Sequence, residues 1–401
     1  MKLAARLRDV TVSATLAMKA EADRLKAAGL SVVDLGVGEP DFDTPEHIRQ
    51  AACLALAEGF THYTATAGIA PLRKALARRY EGLYGAPWGE DEVAVGCGAK
   101  NVLFALAQAL FGPGDDVAIF TPWWVSYPDQ VRLAGARPVF IPTREEDGFT
   151  PRAADLAARL TPATRGVILN TPCNPTGAVI PASELRAFAT LAREKDLAVI
   201  SDEVYEAFTW DGEPHASMAS CADLLGDRLV VVSAFSKTYA MTGWRVGYAI
   251  GAGDIIRGVL KVLSHDSSQA PSFAQKAALA ALEGPQDGLV AMRAEYGRRR
   301  SFVLDAVRSI PGMTAVRPRG AFYLYPNVRG LYPAFGATTS TEIGNALIRN
   351  ARVATVPGEA FGEEGYLRIS YATSLENLRE GMTRIREAAR SGEGSRELPG
   401  R

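Results

Sequence analysis

Short, continuously apolar runs rich in Val and Ile alternate with stretches rich in Ala and Leu between about residues 45 and 285. Strands that are apolar on both faces and separated by helices are typical of a parallel sheet with helices packed on both sides. The pattern therefore predicts a large α/β domain. The clearest predicted strands are Asp116–Phe120, Gly166–Leu169, Leu197–Ile200 and Leu229–Ser233.

The pattern changes after about residue 285. A long charged helix is predicted over Met292–Val307, and two strands are predicted at Gly320–Tyr325 and Tyr366–Tyr371, with helices between them. These elements indicate a smaller α+β domain. We place the large domain at residues 45–284 and the smaller one at 1–44 together with 285–401.

Charge and composition favour a small-molecule ligand. The 401-residue chain is 47% hydrophobic and has a formal net charge of -1, from 44 Lys and Arg against 45 Asp and Glu. A nearly neutral chain has no overall field that attracts nucleic acid or an anionic membrane surface. We therefore expect neither of those partners, and no run reaches the roughly 18 uncharged residues of a membrane helix.

The cysteine and histidine residues favour neither a metal site nor a disulfide framework. The four cysteines lie far apart without a C-x-x-C pair, and the four histidines show no metal-binding spacing. Dispersed free cysteines are typical of a reducing compartment, so we predict a cytoplasmic protein without a metal.

The segment from Ser233 to Tyr248 contains the most informative candidate chemistry. A single lysine, Lys237, follows a Val-rich strand, and Arg245 follows at close spacing. A lysine held there can form a Schiff base, and an arginine can bind a phosphate. The pairing suggests a pyridoxal phosphate enzyme. An ordinary surface lysine is the alternative, because short lysine motifs are frequent by chance.

Asp202 is the candidate partner of the cofactor's ring nitrogen. It comes directly after the predicted strand that ends at Ile200, and open α/β sheets bind ligands at the carboxyl ends of their strands. A carboxylate there keeps the ring nitrogen protonated, which makes the ring an electron sink. Tyr205 is then a candidate for the ring oxygen. The alternatives are a helix N-cap for Asp202 and a packed core position for Tyr205.

Two further polar side chains accompany apolar strands. Asn174 lies in the turn Asn170–Gly177 that follows a predicted strand, and its amide is a candidate donor to the ring oxygen, with a plain turn as the alternative. Arg368 lies inside an otherwise apolar strand, where an unpaired charge is costly. A substrate α-carboxylate would supply its partner, unless the side chain points to water from an edge strand.

The candidate phosphate site is a short segment of small residues that leads into a predicted helix. Gly98, Ala99 and Lys100 precede a predicted helix at Val102–Leu110, and the free N–H groups and positive dipole end of a helix suit an anion. Trp124 is a candidate for stacking on the cofactor ring, although a buried aromatic pair with its neighbour would need no ligand.

Taken together, these segments resemble the fold-type I aminotransferases, class I pyridoxal phosphate enzymes, and within them the bacterial aspartate aminotransferase group. The resemblance runs from Ser13 to Ser374. It implies a large, mostly parallel seven-stranded sheet domain with a smaller α+β domain, in a homodimer whose active sites are shared between subunits. Its motifs are Gly36–His47, Tyr63–Gly68, Pro122–Pro128, Asn174–Gly177, Ser201–Tyr205, Ser236–Lys237, Met241–Gly247 and Arg368–Thr373.

The resemblance also implies a role for each candidate residue. The cofactor roles are Lys237 as Schiff-base lysine and proton shuttle, Asp202 at the ring nitrogen, Asn174 and Tyr205 at the ring oxygen, and Trp124 stacked on the ring. The phosphate ligands are Arg245, the backbone of Gly98, Ala99 and Lys100, and Tyr63 of the partner subunit, with Ser236 as a further cofactor-binding candidate. The substrate α-carboxylate is bound by Arg368 and the backbone of Gly38, beside Trp124 and Asn174.

Two positions depart from the pattern of the family. Many relatives have a phosphate-binding serine where this chain has Ala234, so either Ser233 or Ser236 replaces it or the contact is missing. The stretch Ser264–Gln269 also lacks the arginine with which the animal enzymes bind the distal carboxylate. In the bacterial group a lysine and a threonine receive that carboxylate, and the resemblance assigns these roles to Lys100 and Thr15.

The expected reaction is ping-pong transfer of the α-amino group of aspartate or glutamate to 2-oxoglutarate or oxaloacetate. An aromatic or prephenate aminotransferase is the nearest alternative. A carbon–sulfur lyase on the same fold and a cofactor-binding regulator without turnover are the others.

Overall fold

The computed structural model describes residues 3–12 and 14–391. Its α-helices are α1 (Ala14–Ala27), α2 (Glu46–Ala57), α3 (Ala70–Tyr84), α4 (Ala99–Leu110), α5 (Tyr127–Leu133), α6 (Ala153–Ala157), α7 (Ala182–Lys195), α8 (Ala222–Leu225), α9 (Phe235–Thr238), α10 (Gly253–His265), α11 (Ser272–Glu283), α12 (Asp287–Arg308), α13 (Tyr332–Phe335), α14 (Ser340–Ala346) and α15 (Leu375–Ser391). Its strands are β1 (Val33–Asp34), β2 (Val93–Gly96), β3 (Asp116–Thr121), β4 (Arg137–Pro142), β5 (Thr164–Asn170), β6 (Ala198–Asp202), β7 (Leu229–Ala234), β8 (Gly247–Gly251), β9 (Tyr323–Leu324), β10 (Val353–Ala354), β11 (Val356–Pro357) and β12 (Leu367–Ser370).

A seven-stranded sheet forms the centre of the molecule, with the strand order β2-β8-β7-β6-β5-β3-β4. β8 runs opposite to the other six strands, so the sheet is mostly parallel as predicted. Its central strands are buried on both faces because helices cover both sides, which explains their continuous Val and Ile runs. No helix in the described part of the chain is long and apolar enough to cross a membrane.

The carboxyl ends of three parallel strands meet at one edge of this sheet. In the register of β5 and β6, Asn170 lies beside Asp202, and Asp202 lies beside Val232 of β7. Each strand then continues into a turn or short helix, so the residues that follow the strand ends are brought together. This edge therefore collects the polar segments that the sequence placed after separate strands.

A small antiparallel sheet, β11-β12-β9, packs against α12 through β9, and α12 packs against α15 in the C-terminal part of the chain. The predicted strand at Gly320–Tyr325 is shorter than expected, because Ala321 has a positive φ of 55° and turns the chain before β9 begins. The proposed division into domains at residues 45–284 and at 1–44 with 285–401 stays a prediction. Residues 1–2, 13 and 392–401 of the predicted smaller domain lie outside the described residues.

An aromatic core joins the segment after β6 to the C-terminal part. Phe322 is fully buried and packs edge-on against Tyr205 and Phe208, with ring centroids 5.2 and 5.7 Å away. The backbone follows the same contact, since the N–H of Ala321 donates to the carbonyl of Phe208 at 2.8 Å. The two parts of the chain therefore share one continuous core at the site edge of the large sheet.

We predict that Gly177→Ala destabilises the protein by about 3 kcal/mol, because two costs coincide at that position. Gly177 has a φ of 70°, and an added Cβ would lie 2.8 Å from the carbonyl oxygen of Gly320 and against Pro318. Gly148→Ala is the matched control, because its φ is 65° and no atom lies nearer to the added Cβ than 3.8 Å.

Only the backbone cost applies to Gly148→Ala, so about 1 kcal/mol is expected there. Urea unfolding of both variants measures the difference. Equal losses of stability in the two variants would show that close packing at Gly177 contributes nothing.

Candidate active site

A cavity of about 350 Å³ opens at the carboxyl edge of the large sheet. Most residues singled out in the sequence line it together. These are Thr15, Gly38, Ala99, Lys100, Trp124, Asn174, Asp202, Tyr205, Ser236, Lys237, Arg245 and Arg368. Gly98 lies just behind the lining, against the guanidinium of Arg245. Tyr63 is the exception, because its side chain is 91% exposed and does not line the cavity of its own chain.

Lys237 projects into the cavity from α9, the single helical turn that follows β7. Its Nζ donates to the carbonyl oxygen of Gly38 at 2.6 Å. Desolvation lowers the pKa of Lys237 to about 8; the carboxylate of Glu39 opposes this shift, and the charges of Arg368 and other nearby cations add to it. The amine therefore loses its proton far more readily than an exposed lysine, as a nucleophile or base must.

Asp202 ends β6 with its carboxylate buried and facing the cavity. Burial raises the pKa of Asp202 to about 6. Two donors act in the opposite direction by favouring the charged form: the hydroxyl of Tyr127 at 2.6 Å from Oδ2 and the N–H of Val204 at 3.3 Å from Oδ1. Such a carboxylate gains stability from a cationic partner, which a protonated ring nitrogen would be.

Tyr127 is a site residue that the sequence reasoning missed. It lies at the start of α5, and its ring packs edge-on against Trp124 with centroids 5.3 Å apart. The spacing of three residues from Trp124 was the available signal, since it places both side chains on one face of a helical turn. The bond to Asp202 spans 75 positions in the sequence and depends on the fold.

Arg368 is 2% exposed, and the described residues supply it with no ion-pair partner. Its Nη1 donates to Oδ1 of Asn174 at 2.9 Å and its Nη2 to the carbonyl of Gly36 at 2.5 Å, while Nε is buried without a partner. The guanidinium also lies 4.6 Å from the ring centroid of Tyr323. A buried, incompletely satisfied guanidinium beside an open cavity is a site for a carboxylate.

Asn174 and Tyr205 are held by partners that leave room for a ligand. Because Oδ1 of Asn174 accepts from Arg368, its Nδ2 is the group left to donate into the cavity. The hydroxyl of Tyr205 lies 2.7 Å from that of Tyr323, a second residue that the sequence reasoning missed. Tyr323 also accounts for the glycine at position 38, because an added Cβ at Gly38 would lie 3.2 Å from Cζ of the tyrosine.

The N-terminus of α4 has the features of an anion site. Gly98 precedes it with a φ of 86°, and no side chain caps the helix. A Cβ on Gly98 would lie 2.6 Å from Nη2 of Arg245, so only glycine lets the guanidinium approach. Arg245 is oriented by the carbonyls of Thr242 and Cys97, at 2.9 and 3.1 Å. Free N–H groups and an arginine on one side of a cavity suit a phosphate.

The structure distinguishes the two serines near Ala234. Ser233 is buried inside β7, with its hydroxyl 3.5 Å from the carbonyl of Glu203, and it does not line the cavity. Ser236 lies in α9 and does line it. Ser236 is therefore the serine in a position to replace the hydroxyl that Ala234 lacks.

Lys100 and Thr15 line the same cavity. The Nζ of Lys100 lies 5.0 Å from the ring centroid of Trp124, and burial and then the charge of Arg245 lower the pKa of Lys100. A cation resting on an aromatic face is held weakly enough to turn toward an anion.

Comparison with known proteins places these features in a family. Residues 31–385 match the family model described as aminotransferase class I and II. An aspartate aminotransferase of Geobacillus stearothermophilus is 43% identical over 385 residues, which cover 96% of this chain and 98% of that protein. An aspartate/prephenate aminotransferase of Nitrosomonas europaea is 40% identical over 392 residues, covering 96% and 99%. The solved structure of Thermus thermophilus aspartate aminotransferase with maleate has a TM-score of 0.92 at 39% identity, covering 97% and 100%.

We predict that Asp202 makes the cofactor-free protein less stable as the pH rises. The folded-state pKa of about 6 lies above the ordinary 3.8 of an aspartate. The contribution of Asp202 to the free energy of unfolding is therefore fully present below about pH 4. It is lost as the pH rises through about 6, a change of the order of 2–3 kcal/mol. Urea unfolding at several pH values measures it, and Asp202→Asn should remove this part of the pH dependence.

Tyr127→Phe is the matched variant for this titration. It keeps the carboxylate but removes a donor that favours the charged form, so the loss of stability should continue to higher pH than in the wild type. Identical pH profiles for the wild type and Asp202→Asn would mean that Asp202 titrates normally.

Proposed function

The chain belongs to the class I and II aminotransferases, which makes it a pyridoxal-phosphate-dependent aminotransferase, and from this premise we propose that it transfers the α-amino group of aspartate or glutamate to a 2-oxo acid. One observation supports this choice of substrate above the others. Among the described residues that line the cavity, Lys100, Lys237, Arg245 and Arg368 are basic and Asp202 alone is a carboxylate. Such a surplus of positive charge suits a phosphate and a dicarboxylic substrate together.

The residues of the cavity fit pyridoxal phosphate. Arg245, Ser236 and the start of α4 at Gly98 would hold its phosphate, and Asp202 its ring nitrogen. Tyr205 and the free amide hydrogens of Asn174 would bind the ring oxygen. When bound, the cofactor supplies a conjugated ring that withdraws electrons from the substrate α-carbon.

Lys237 is the residue that we propose for both covalent attachment and proton transfer. Its lowered pKa makes a neutral amine available near neutral pH, and its Nζ donates to the carbonyl of Gly38 in the cavity that Arg368 also lines. An amine at that position could take the α-proton from the substrate and hold it on Nζ for its return. Asp202 would keep the ring nitrogen of the bound cofactor protonated.

Two basic side chains are proposed to bind the two carboxylates of the substrate. Arg368, fixed by Asn174 and Gly36, binds the α-carboxylate in a bidentate manner, and Lys100 with Thr15 binds the distal one. The relative solved with maleate, itself a dicarboxylate, supports a dicarboxylic substrate. Neither aspartate nor glutamate is excluded by Lys100, because a flexible ammonium adjusts to the length of the side chain.

An aromatic substrate or prephenate is the second candidate. Leu16, Leu103 and Val125 line the cavity together with Trp124, and this apolar wall can contact a ring. The relative named aspartate/prephenate aminotransferase supports the same alternative. Because the family assignment makes the chain an aminotransferase, the lyase and regulator alternatives are not retained.

We also propose a homodimer with shared active sites. The 91% exposure of Tyr63 supports it, since an aromatic ring so exposed in one chain has room to enter the phosphate site of another. The cytoplasmic location suggested by the dispersed cysteines remains a prediction.

We predict a single half-reaction when the cofactor-loaded protein is mixed with aspartate or glutamate without an oxo acid. The visible absorbance of the cofactor should change once and stop, and adding 2-oxoglutarate should restore it. Lys237→Ala should bind the cofactor without the covalent link and show no such cycle. No absorbance change with either amino acid, in wild-type protein that binds the cofactor, would refute the proposed substrates.

We predict that Lys100→Met lowers kcat/KM for aspartate about 10- to 100-fold, because one charge-assisted hydrogen bond is lost. The value for phenylalanine should fall by less than a factor of about three. Lys195→Met is the matched control, since that lysine is exposed at the end of α7 and does not line the cavity. Equal losses for both substrates would contradict a role of Lys100 at the distal carboxylate.

A further inference from the structure

A buried acid–base pair lies directly behind the strand end that presents Asp202. Glu203 is fully buried, and Oε2 of its carboxylate lies 2.8 Å from Nε2 of His215. Its Oε1 accepts from the hydroxyl of Ser201 at 2.8 Å and from the N–H of Met218 at 2.9 Å. Neither Glu203 nor His215 lines the active-site cavity, so neither has a role in the proposed reaction through direct contact.

The backbone of Glu203 joins the ends of two strands. Its N–H donates to the carbonyl of Val232 at 2.8 Å, and its carbonyl lies 3.5 Å from the hydroxyl of Ser233. Asp202 is the preceding residue on β6, and Lys237 follows Ser233 by four positions. A shift of Glu203 would therefore disturb the relative placement of Asp202 and Lys237.

His215 is the basic hydrogen-bond partner of the buried Glu203 carboxylate. Glu206 lies in the same region, but it is paired with Arg79 at 3.1 Å. His215 is then the basic side chain left for Glu203, and a buried carboxylate without a partner is strongly destabilising. Burial lowers the pKa of His215, but its hydrogen bond to Glu203 and the charges of both glutamates raise it by more.

The loop between Glu203 and His215 connects this pair to the C-terminal part of the chain. Between Glu203 and His215, the N–H of Trp210 donates to the carbonyl of Arg319 at 2.9 Å. Asp211, the next residue, pairs with Arg300 at 2.7 Å. The pair thus closes a loop whose outer end is bound to the part of the chain that contains Arg368.

We propose that Glu203 and His215 form a positioning pair for the reaction, in which the Nε2–H of His215 holds the Glu203 carboxylate and thereby sets the placement of Asp202 relative to Lys237. The pair touches neither the substrate nor the cofactor. This proposal rests on the roles given to Asp202 and Lys237 in the proposed function.

The test compares two substitutions of His215 in the cofactor-loaded protein. His215→Leu removes the donor, whereas His215→Gln keeps an N–H close to the position of Nε2. One readout is the pH midpoint of the visible absorbance of the bound cofactor, and the other is its dissociation constant. Neither requires turnover.

We expect His215→Leu to raise the midpoint by about one unit and to weaken cofactor binding about ten-fold. The midpoint rises because a looser contact between Asp202 and the ring nitrogen would let that nitrogen lose its proton. The ring near Lys237 would then carry less positive charge. His215→Gln should stay within about 0.3 units of the wild type. A wild-type midpoint and affinity in His215→Leu, or equal shifts in both variants, would overturn the proposal.

Two further variants separate positioning from general loss of stability. Ser201→Ala removes one contact to Glu203 without leaving a buried charge unpaired, so it should fold and shift the midpoint in the same direction by a smaller amount. If His215→Leu does not fold, an unchanged midpoint in Ser201→Ala overturns the proposal. Ile385→Ala leaves a cavity in the C-terminal core, where Ile385 is fully buried, and should lower stability without moving the midpoint.

The wild type shows whether the proposed function itself has failed. If the wild-type absorbance does not respond to aspartate or glutamate, the substrate assignment is wrong, and the comparison of midpoints still stands. If Lys237→Ala retains the same absorbance and midpoint as the wild type, the assignment of Lys237 is wrong and the positioning role falls with it.

Discussion

The parallel pairing of β5, β6 and β7 is the constraint on which the site depends. Their register brings Asn170, Asp202 and Val232 side by side, and the turns that follow place Asn174 and Lys237 on the same edge. Successive side chains of a strand point to opposite faces, so a slip of one residue would exchange Asp202 with a buried neighbour. The relative placement of the active-site side chains therefore depends on the hydrogen-bonded register of these three strands.

Burial at this edge shifts the pKa values of the acid and the base in opposite directions, and both shifts favour the neutral form. It raises the pKa of Asp202 to about 6 and lowers that of Lys237 to about 8, so each moves toward its neutral form. The donors around Asp202 limit that shift, and the neighbouring cations deepen the one at Lys237. A cationic ring between them would restore the charge of the carboxylate and leave the amine free to act as a base.

Much of this arrangement could be predicted from the sequence, because apolar runs identify buried strands and the residues after them lie at one edge. Asp202 and Lys237 were found in this way. Tyr127 and Tyr323 were not, because their bonds to Asp202 and Tyr205 join positions 75 and 118 residues apart. The choice between Ser233 and Ser236 was also inaccessible, since it depends on where β7 gives way to α9.

The two ends of the proposed substrate meet very different groups, and this difference sets the kind of selectivity to expect. Arg368 is fixed by Asn174, by Gly36 and by the ring of Tyr323, so the α-carboxylate of the proposed substrate would meet a rigid, planar group. Lys100 rests on Trp124, and no carboxylate among residues 3–12 and 14–391 forms an ion pair with it. Because an ammonium on a flexible stem can leave that ring for a carboxylate or remain on it, recognition of the amino-acid backbone should be strict, while recognition of the side chain is graded.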